Sequence, residues 1–448
     1  MKPTRRVLIV VENQSVPRDR RVWQESQSLM SAGYGVSVIC PRQPGEQRFE
    51  VLDGVRIHRY WLPGGRGTAF DFVVEYAVAF LMTVMLTVFV AVTEGFDVLQ
   101  VCNPPDVFFP LGVAVRLMGK GFVFDHHDLT PELYACRFGP RQGIVQWLLR
   151  RFERATFRVA DHVISTNDSY REVAIGRGRV APDRVTVVRN GPDPDRFRLA
   201  RPSVERRDGH AHLCVWYGVM GRQDGLDLAM QIVGHYVHGM GRRDCQFAFL
   251  GDGDALEEAR VLAGEQGIGR WVTFTGWLDD AEAGRYLVTA DLGLSTDPEG
   301  PLSDKSTMVK VMEYMSVGLP IVAFDLTETR VSAAGSAAYV TPGDTHAFAA
   351  TIARLLDDPG RRAAMGAAGR QRVATELAWD HQASAYVEVY RRLLGRSQPG
   401  LARISALERR TSGGAGANAP GAVKTYARPQ PQMRVAPRTE PHSHTHPR

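Results

Sequence analysis

Residues 6–40 read RVLIVVENQSVPRDRRVWQESQSLMSAGYGVSVIC. Val7 to Val11 is an unbroken apolar run of the kind a fully buried strand shows, and the helical pattern across Val22 to Ala32 stops at Gly33. A second apolar run, Val36 to Cys40, follows at once. Strands apolar on both faces with a helix between them describe a parallel unit whose crossover covers the sheet. The rhythm continues through Val98 to Val101, Phe122 to Phe124, Val163 to Ser165 and Val185 to Val188. It breaks at Asn190-Gly191-Pro192-Asp193-Pro194-Asp195 and across the polar stretch Ala200 to His210. A second series then starts: Leu213 to Tyr217, Gln246 to Leu250, Val272 to Thr275, Leu292 to Ser295, Ile321 to Phe324 and Ala338 to Val340.

The fold class expected is therefore α/β, with two Rossmann-like doubly wound domains. Their bounds are residues 1–199 and 211–378, joined by a linker over 200–210 and closed by a helix over 379–395. The cleft between them is the expected ligand site. Residues 396–448 are rich in Gly, Pro, Arg and Ser and lack the apolar content that folding requires, so a disordered tail is expected there. His442, His444 and His446 belong to that solvated tail.

A chain of 448 residues with 44% hydrophobic and 23% charged residues is ordinary for a globular protein of two domains. The net charge is +5, and only five of the 54 basic residues are lysines. Arg18, Arg20 and Arg21, and again Arg150, Arg151 and Arg154, cluster in a way suited to phosphates or anionic lipid headgroups. Basic residues are otherwise spread rather than aligned with aromatics, which argues against nucleic acid as a partner. Cys40, Cys102, Cys136, Cys214 and Cys245 show no metal-type spacing and read as reduced core or near-core residues. Arg5 and Arg6 lead straight into the first strand, so no signal peptide is expected, and the cytoplasmic side is the expected location. Tyr76 to Val92 carries no charge over 17 residues, the lower limit for a membrane span. Asp71 and Glu75 precede it, Glu94 and Asp97 follow, and no basic flank marks a cytoplasmic end, so a buried helix is expected. Peripheral contact with a membrane through this region is left open.

Residues 304–322, DKSTMVKVMEYMSVGLPIV, carry the chemistry. On a helix, Met308, Val311, Met312 and Met315 form one apolar stripe, and Lys310 and Glu313 share the opposite face. Gly318 stops the helix and Pro320 opens the next strand. Free amides near Ser306 and Thr307 suit a diphosphate. Lys310 could add charge there, and Glu313 could accept hydrogen bonds from ribose hydroxyls. An ordinary surface ion pair between Lys310 and Glu313 explains the same spacing.

The string Lys310-x-x-Glu-Tyr-Met-x-x-Gly-x-Pro-Ile-Val322 resembles the donor-binding helix of glycosyltransferase family 4, the group 1 glycosyltransferases of GT-B fold. Four other stretches resemble that family in the same order: Arg189-Asn-Gly-Pro-Asp193, Tyr217-Gly-Val-Met-Gly-Arg-Gln-Asp-Gly225, Leu250-Gly-Asp-Gly-Asp254 and Phe274-Thr-Gly-Trp277. Phe124-Asp-His-His-Asp-Leu-Thr-Pro-Glu-Leu-Tyr134 and Pro17-Arg-Asp-Arg-Arg21 are similar to the subgroup that assembles polysaccharides. The resemblance implies a retaining transfer from a nucleotide-sugar, with the acceptor hydroxyl as nucleophile and neither metal nor cofactor. It implies catalytic roles for His127, Lys310 and Glu313. It implies donor contacts from Gly218, Arg222, Gly251, Gly276, Trp277, Lys305, Ser306 and Thr307. Arg18, Arg21, Asn103, Asp106, Asp128 and Glu132 would face the acceptor, a glycan or lipid-linked glycan at the inner face of the plasma membrane. For Asn103-Pro-Pro-Asp106 a plain proline-stiffened turn is the equal alternative; for His126 and His127 the alternative is strand-end packing with one backbone hydrogen bond, which the resemblance outweighs. Where the family offers a first glutamate the chain has Lys305, and Val219 and Asp224 stand where its phosphate loop offers Arg and Lys. Arg222 and Lys305 are the nearest substitutes. A nucleotide-sugar epimerase of the same architecture and a non-catalytic partner subunit are the rival readings.

Overall fold

The computed structural model describes residues 5–63, 69–139 and 143–395, and the tail over 396–448 lies outside the described residues. The first lobe is an eight-stranded sheet of β1 (Arg6–Val10), β2 (Gly35–Pro41), β3 (Phe49–Leu52), β4 (Val55–Tyr60), β5 (Val98–Cys102), β6 (Gly121–His126), β7 (His162–Ser165) and β8 (Val185–Val187), in the order β3-β4-β2-β1-β5-β6-β7-β8. The second lobe has β9 (His212–Tyr217), β10 (Cys245–Leu250), β11 (Val272–Phe274), β12 (Leu292–Ser295), β13 (Ile321–Phe324) and β14 (Ala337–Val340), ordered β11-β10-β9-β12-β13-β14. Every pairing is parallel except that of β3 with β4. Strand order reverses between β1 and β5 and between β9 and β12, and ligands of open α/β sheets bind outside the carboxyl ends at such points.

Alternation along each strand builds the two cores of a lobe. In β1, Val7 and Ile9 enter one cluster with helices Arg20–Ser31 and Trp379–Leu394, while Leu8 and Val10 enter the opposite one. All four are fully buried, which is worth about 1.5–3 kcal/mol each. In β9, Cys214 and Trp216 point to one side and Leu213 and Val215 to the other. The helix Trp379–Leu394 follows the second lobe in sequence, yet Tyr386, Val387 and Tyr390 pack against the first sheet.

Two features depart from the sequence reading. Helix Ala69–Thr93 is not a core helix: Ala79, Thr83 and Val90 face the sheet, but Leu81, Met85, Val88, Phe89 and Val92 are exposed. One stripe satisfies the sheet, and the remaining apolar surface is left exposed among the described residues. The antiparallel hairpin of β3 and β4 was not expected, although its Asp53-Gly54 turn, with φ of 48° and 85°, is a strong short-range hairpin signal. Among the cysteines, Cys136 is exposed, and Cys214 and Cys245 meet at 3.4 Å on neighbouring strands.

Candidate active site

Three glycines converge at the carboxyl ends of β9, β10 and β11. Gly251 adopts φ +139°, and a Cβ there would lie 1.8 Å from the carbonyl oxygen of Gly218. Its amide donates to Gly276 O at 3.1 Å. A side chain at Gly251 would force these turns apart, and the positive φ of +152° at Gly218 and +69° at Gly276 is itself suited to glycine. Trp277, directly after Gly276, is 68% exposed and lies 5.9 Å from the Arg18 guanidinium of the other lobe.

Helix Val309–Val317 starts beside them with no side-chain cap at Met308, and Gly318 ends it at φ +73°. Among the described residues the amides of Val309 and Lys310 make no hydrogen bond, so they form an open positive end. Lys310 and Glu313 do not pair with each other, which excludes the surface ion pair. Both are buried. Lys310 Nζ lies 2.8 Å from Asp297 Oδ1 and 4.4 Å above the Trp216 ring, and Ser295 Oγ donates to Asp297 Oδ2 at 2.6 Å. Glu313 is held by Arg196, whose second arm reaches Tyr217 Oη at 2.8 Å and Asp280 at 2.9 Å. Burial pushes the Glu313 carboxyl up, with Arg196 and Arg20 opposing. Asp224 folds back onto the Gly221 amide at 3.0 Å, and its carboxyl is pushed up to about 6 by burial against the pull of Lys310.

Arg222 is exposed, Lys305 is half-exposed, and neither side chain has a polar partner among the described residues. Ser306 and Thr307 precede the helix rather than begin it. Their hydroxyls meet the first lobe instead: Tyr170 Oη lies 2.9 Å from Ser306 Oγ, and Asn167 Nδ2 donates to Thr307 Oγ1 at 2.9 Å and to Lys305 O at 2.8 Å.

In the first lobe, His127 follows β6. Its Nε2 lies 2.7 Å from Asp125 Oδ2, while Nδ1 makes no hydrogen bond among the described residues. Burial alone would raise the Asp125 carboxyl, but Arg21 and His127 outweigh it and hold it well below the usual carboxylate range. Nε2 therefore carries a proton and donates, which leaves the 3.0 Å approach of Arg21 Nε without an acceptor there; Arg21 Nε donates instead to Asp125 Oδ2 at 3.4 Å. Glu25, Cys102, Asp125 and His127 converge closely enough to hold a cation, and the Arg21 guanidinium supplies one. His126 takes the packing role: it is fully buried among Phe124, Phe157 and Tyr170, and burial lowers its imidazole to about 3, helped by Arg177.

Several residues expected to face the acceptor turn inward. Arg21 sits in the first turn of its helix with its fork used by Asp125, Val188 O and Asn190, and it supplies the cation without which the buried Asp125 carboxylate would stand uncompensated. Asn103 ties the backbone of His127 and Asp128 to the Thr130 hydroxyl, accepting from His127 N at 2.7 Å and donating to Asp128 O at 2.7 Å and to Thr130 Oγ1 at 3.3 Å. Asp106 is buried, and its carboxyl is pushed up to about 7 by burial, against Thr130 and Asn103. Glu132 is claimed by Arg177. Arg18 remains exposed and Asp128 half-buried.

Two family descriptions match the chain: "Glycosyl transferase 4-like domain" over residues 19–191 and "Glycosyl transferases group 1" over residues 211–358. The chain belongs to the group 1 glycosyltransferases of family 4. The 2-deoxystreptamine glucosyltransferase of Streptomyces kanamyceticus is 26% identical over 296 residues, 64% of this chain and 74% of that protein. The sucrose-phosphate synthase structure from Thermosynechococcus elongatus has a TM-score of 0.72 at 18% identity, covering 88% of this chain and 100% of that one. Anabaena HepE in complex with UDP has a TM-score of 0.61 at 13% identity, covering 86% and 99%. These likenesses give the glycosyltransferase its GT-B fold, with two parallel-sheet lobes.

What the motifs of this glycosyltransferase did not disclose are the partners of their charged residues. Asp297, two residues past β12, holds Lys310, and Arg196, from the segment between the sheets, holds Glu313. Arg20 reaches across to Asp280 of the second lobe at 2.5 Å. A carboxylate at a strand end was the one available signal for Asp297; Arg196 lies 117 residues from its partner and left none.

Proposed function

We propose that this glycosyltransferase moves a hexose from a nucleoside diphosphate to a hydroxyl of a glycan or lipid-linked glycan, with retention and without a divalent cation. The proposed setting is cell-surface polysaccharide synthesis at the cytoplasmic face of the membrane. The observation that carries the donor reading is the buried Glu313 beside the open amides of Val309 and Lys310, next to the glycine turns at a topological switch point. The names of the glucosyltransferase relative and of the UDP complex support a nucleotide-hexose donor.

In this reading the backbone at Gly218 and Gly251 approaches the donor, Trp277 covers the base, and Glu313 accepts from the ribose after exchanging Arg196 for its hydroxyls. The diphosphate lies at the helix N-terminus. Lys310 is committed to Asp297, so Arg222 and Lys305 are the cations suited to meet the phosphates. The bond from the anomeric carbon to the diphosphate oxygen breaks, and its electron pair leaves with the nucleotide. The acceptor oxygen forms the new bond on the same face. Positive potential fixed in advance at the departing oxygens lowers the barrier. Asp125 keeps His127 in one tautomer with Nδ1 available to the donor sugar. Closure of the lobes would exclude water.

A thermal-shift screen against UDP, GDP, ADP and their sugars tests the donor. One nucleotide should raise the melting temperature with the logarithm of its concentration, and should do so in EDTA. No shift with any of them refutes the donor site; a shift that needs Mg²⁺ or Mn²⁺ refutes the metal-free part.

A further inference from the structure

A cavity of about 550 Å³ opens at the carboxyl ends of β1, β2 and β4, outside every motif used above. Glu12, Arg42, Glu46, Trp61, Leu62 and Glu75 line it. We propose that this cavity is an acceptor subsite for a polyhydroxylated ring beyond the ring that receives the sugar, so that the enzyme extends an acceptor of at least two rings.

Glu12 follows β1 and is 3% exposed, yet its Oε1 has no hydrogen-bond partner among the described residues. Buried polar atoms are almost always satisfied, so an orphaned carboxyl oxygen lining a cavity marks where a ligand supplies the bond. Trp61, at 62% exposed, lines the same space, and an aromatic side chain suits the C–H side of a sugar ring.

The charges select among ligands. Glu46 is already engaged by Ser15 at 2.6 Å, Arg59 at 3.4 Å and Arg18 at 3.7 Å. Burial, and then Glu75, pushes the Glu12 carboxyl up to about 8, so it keeps its proton at neutral pH. A neutral carboxyl both donates and accepts, which fits adjacent hydroxyls; it holds an ammonium ion weakly. Carboxylates alongside it disfavour a phosphate.

Position sets the ring's place in the acceptor. Neighbouring strands lie about 4.8 Å apart, so the ends of β1 and β4 are roughly 10 and 19 Å from the end of β6, where His127 stands. The reacting ring belongs near His127, and the cavity is further away along the same edge. Arg18 joins the two regions, standing between Glu46 on the cavity wall and Trp277 across the cleft.

The inference rests on the transferase reading for the word acceptor, and the test separates the two. Saturation-transfer NMR of the full chain would use methyl α-D-mannopyranoside, methyl β-D-glucopyranoside, maltose and cellobiose, with nucleotide thermal shifts measured in parallel. At least one pyranoside should show transfer, with a disaccharide bound more tightly than its monosaccharide. Trp61→Ala and Glu12→Gln should each weaken it about tenfold, while the nucleotide shift is kept. No transfer to any probe, transfer unchanged in both variants, or displacement by an equal concentration of ethanolamine overturns the subsite. If the glycoside effects appear but no nucleotide shifts the protein, the subsite stands and the transferase reading falls.

Discussion

Glu313 is held by a guanidinium from outside its own sheet, and this decides which substitution reports on catalysis. In Glu313→Gln, Arg196 keeps Tyr217 and Asp280 as partners, so no buried charge is stranded. The variant should fold with an unchanged melting temperature and lose about 2.7–4 kcal/mol of transition-state stabilisation, read as a 10²–10³-fold fall in kcat/KM for the donor. Wild-type kcat/KM in that variant would remove Glu313 from the donor site. Lys310→Ala is a poorer probe, because it leaves Asp297 buried without its cation, which is destabilising by about 3–5 kcal/mol. Glu12 makes a second prediction at this scale. Its carboxyl stands at about 8 in the folded chain against the usual 4.5, so between those values the folded state keeps a proton that the unfolded chain has released. Stability therefore falls as pH rises through that window. Glutamine has no proton to lose, so the advantage of Glu12→Gln over wild type should grow by on the order of 2–4 kcal/mol from about pH 5 to about pH 9. Parallel melting curves for the two proteins across that range would contradict it. Lys310 and Glu313 were legible because helical periodicity and spacing place them on one face. The direction of Arg21 was not legible, since a position on a helix says nothing of the buried carboxylates waiting behind it.

Parallel strands were legible as elements because both faces are apolar and leave an unbroken run. The edge strand β3, with alternate residues exposed, leaves a weaker pattern that only its Asp-Gly turn completes. Helix Ala69–Thr93 shows where composition stops: a core helix and a helix with one exposed apolar face can have the same apolar run. Helix Ile144–Val159 covers the same face of the first sheet and exposes Ile144, Val145, Trp147 and Leu148 together with Arg150, Arg151, Arg154 and Arg158. Apolar surface flanked by arginines is suited to the boundary of an anionic bilayer. The chain should co-sediment with vesicles containing phosphatidylglycerol, and less so as salt rises. Arg150→Gln with Arg154→Gln should weaken that binding by about 2 kcal/mol, at about 1 kcal/mol per charge. Leu81→Glu with Val88→Glu should weaken it to neutral vesicles as well. Equal binding by all three proteins would exclude this face.

At the scale of the whole molecule the last helix reverses the order of the chain. Its apolar positions could be read as buried, but nothing in the sequence said that the covering sheet belongs to the first lobe. Tyr386 Oη donates to Gln100 Oε1 at 2.7 Å, and Tyr390 donates to the same oxygen. Gln100 Nε2 then reaches Glu25 at 2.7 Å and Asp125 at 3.1 Å, and Asp125 orients His127. One buried chain of hydrogen bonds thus runs from the end of the fold to the residue assigned to the donor sugar. Replacing both tyrosines by phenylalanine keeps the packing around them but leaves Gln100 Oε1 without a donor. An unsatisfied buried acceptor costs about 1–3 kcal/mol, so Tyr386→Phe with Tyr390→Phe should lower unfolding stability by that amount in denaturant titration. Released from its carbonyl side, Gln100 no longer holds the amide against Asp125 in one rotamer, and the histidine should follow. In nitrogen-15 NMR, the His127 imidazole, identified by its absence in His127→Asn, should then show tautomer exchange that the wild type lacks. A stability loss with an unchanged His127 signal would make the last helix a lid on the core alone; a change in both ties the closing of the fold to the setting of the active site.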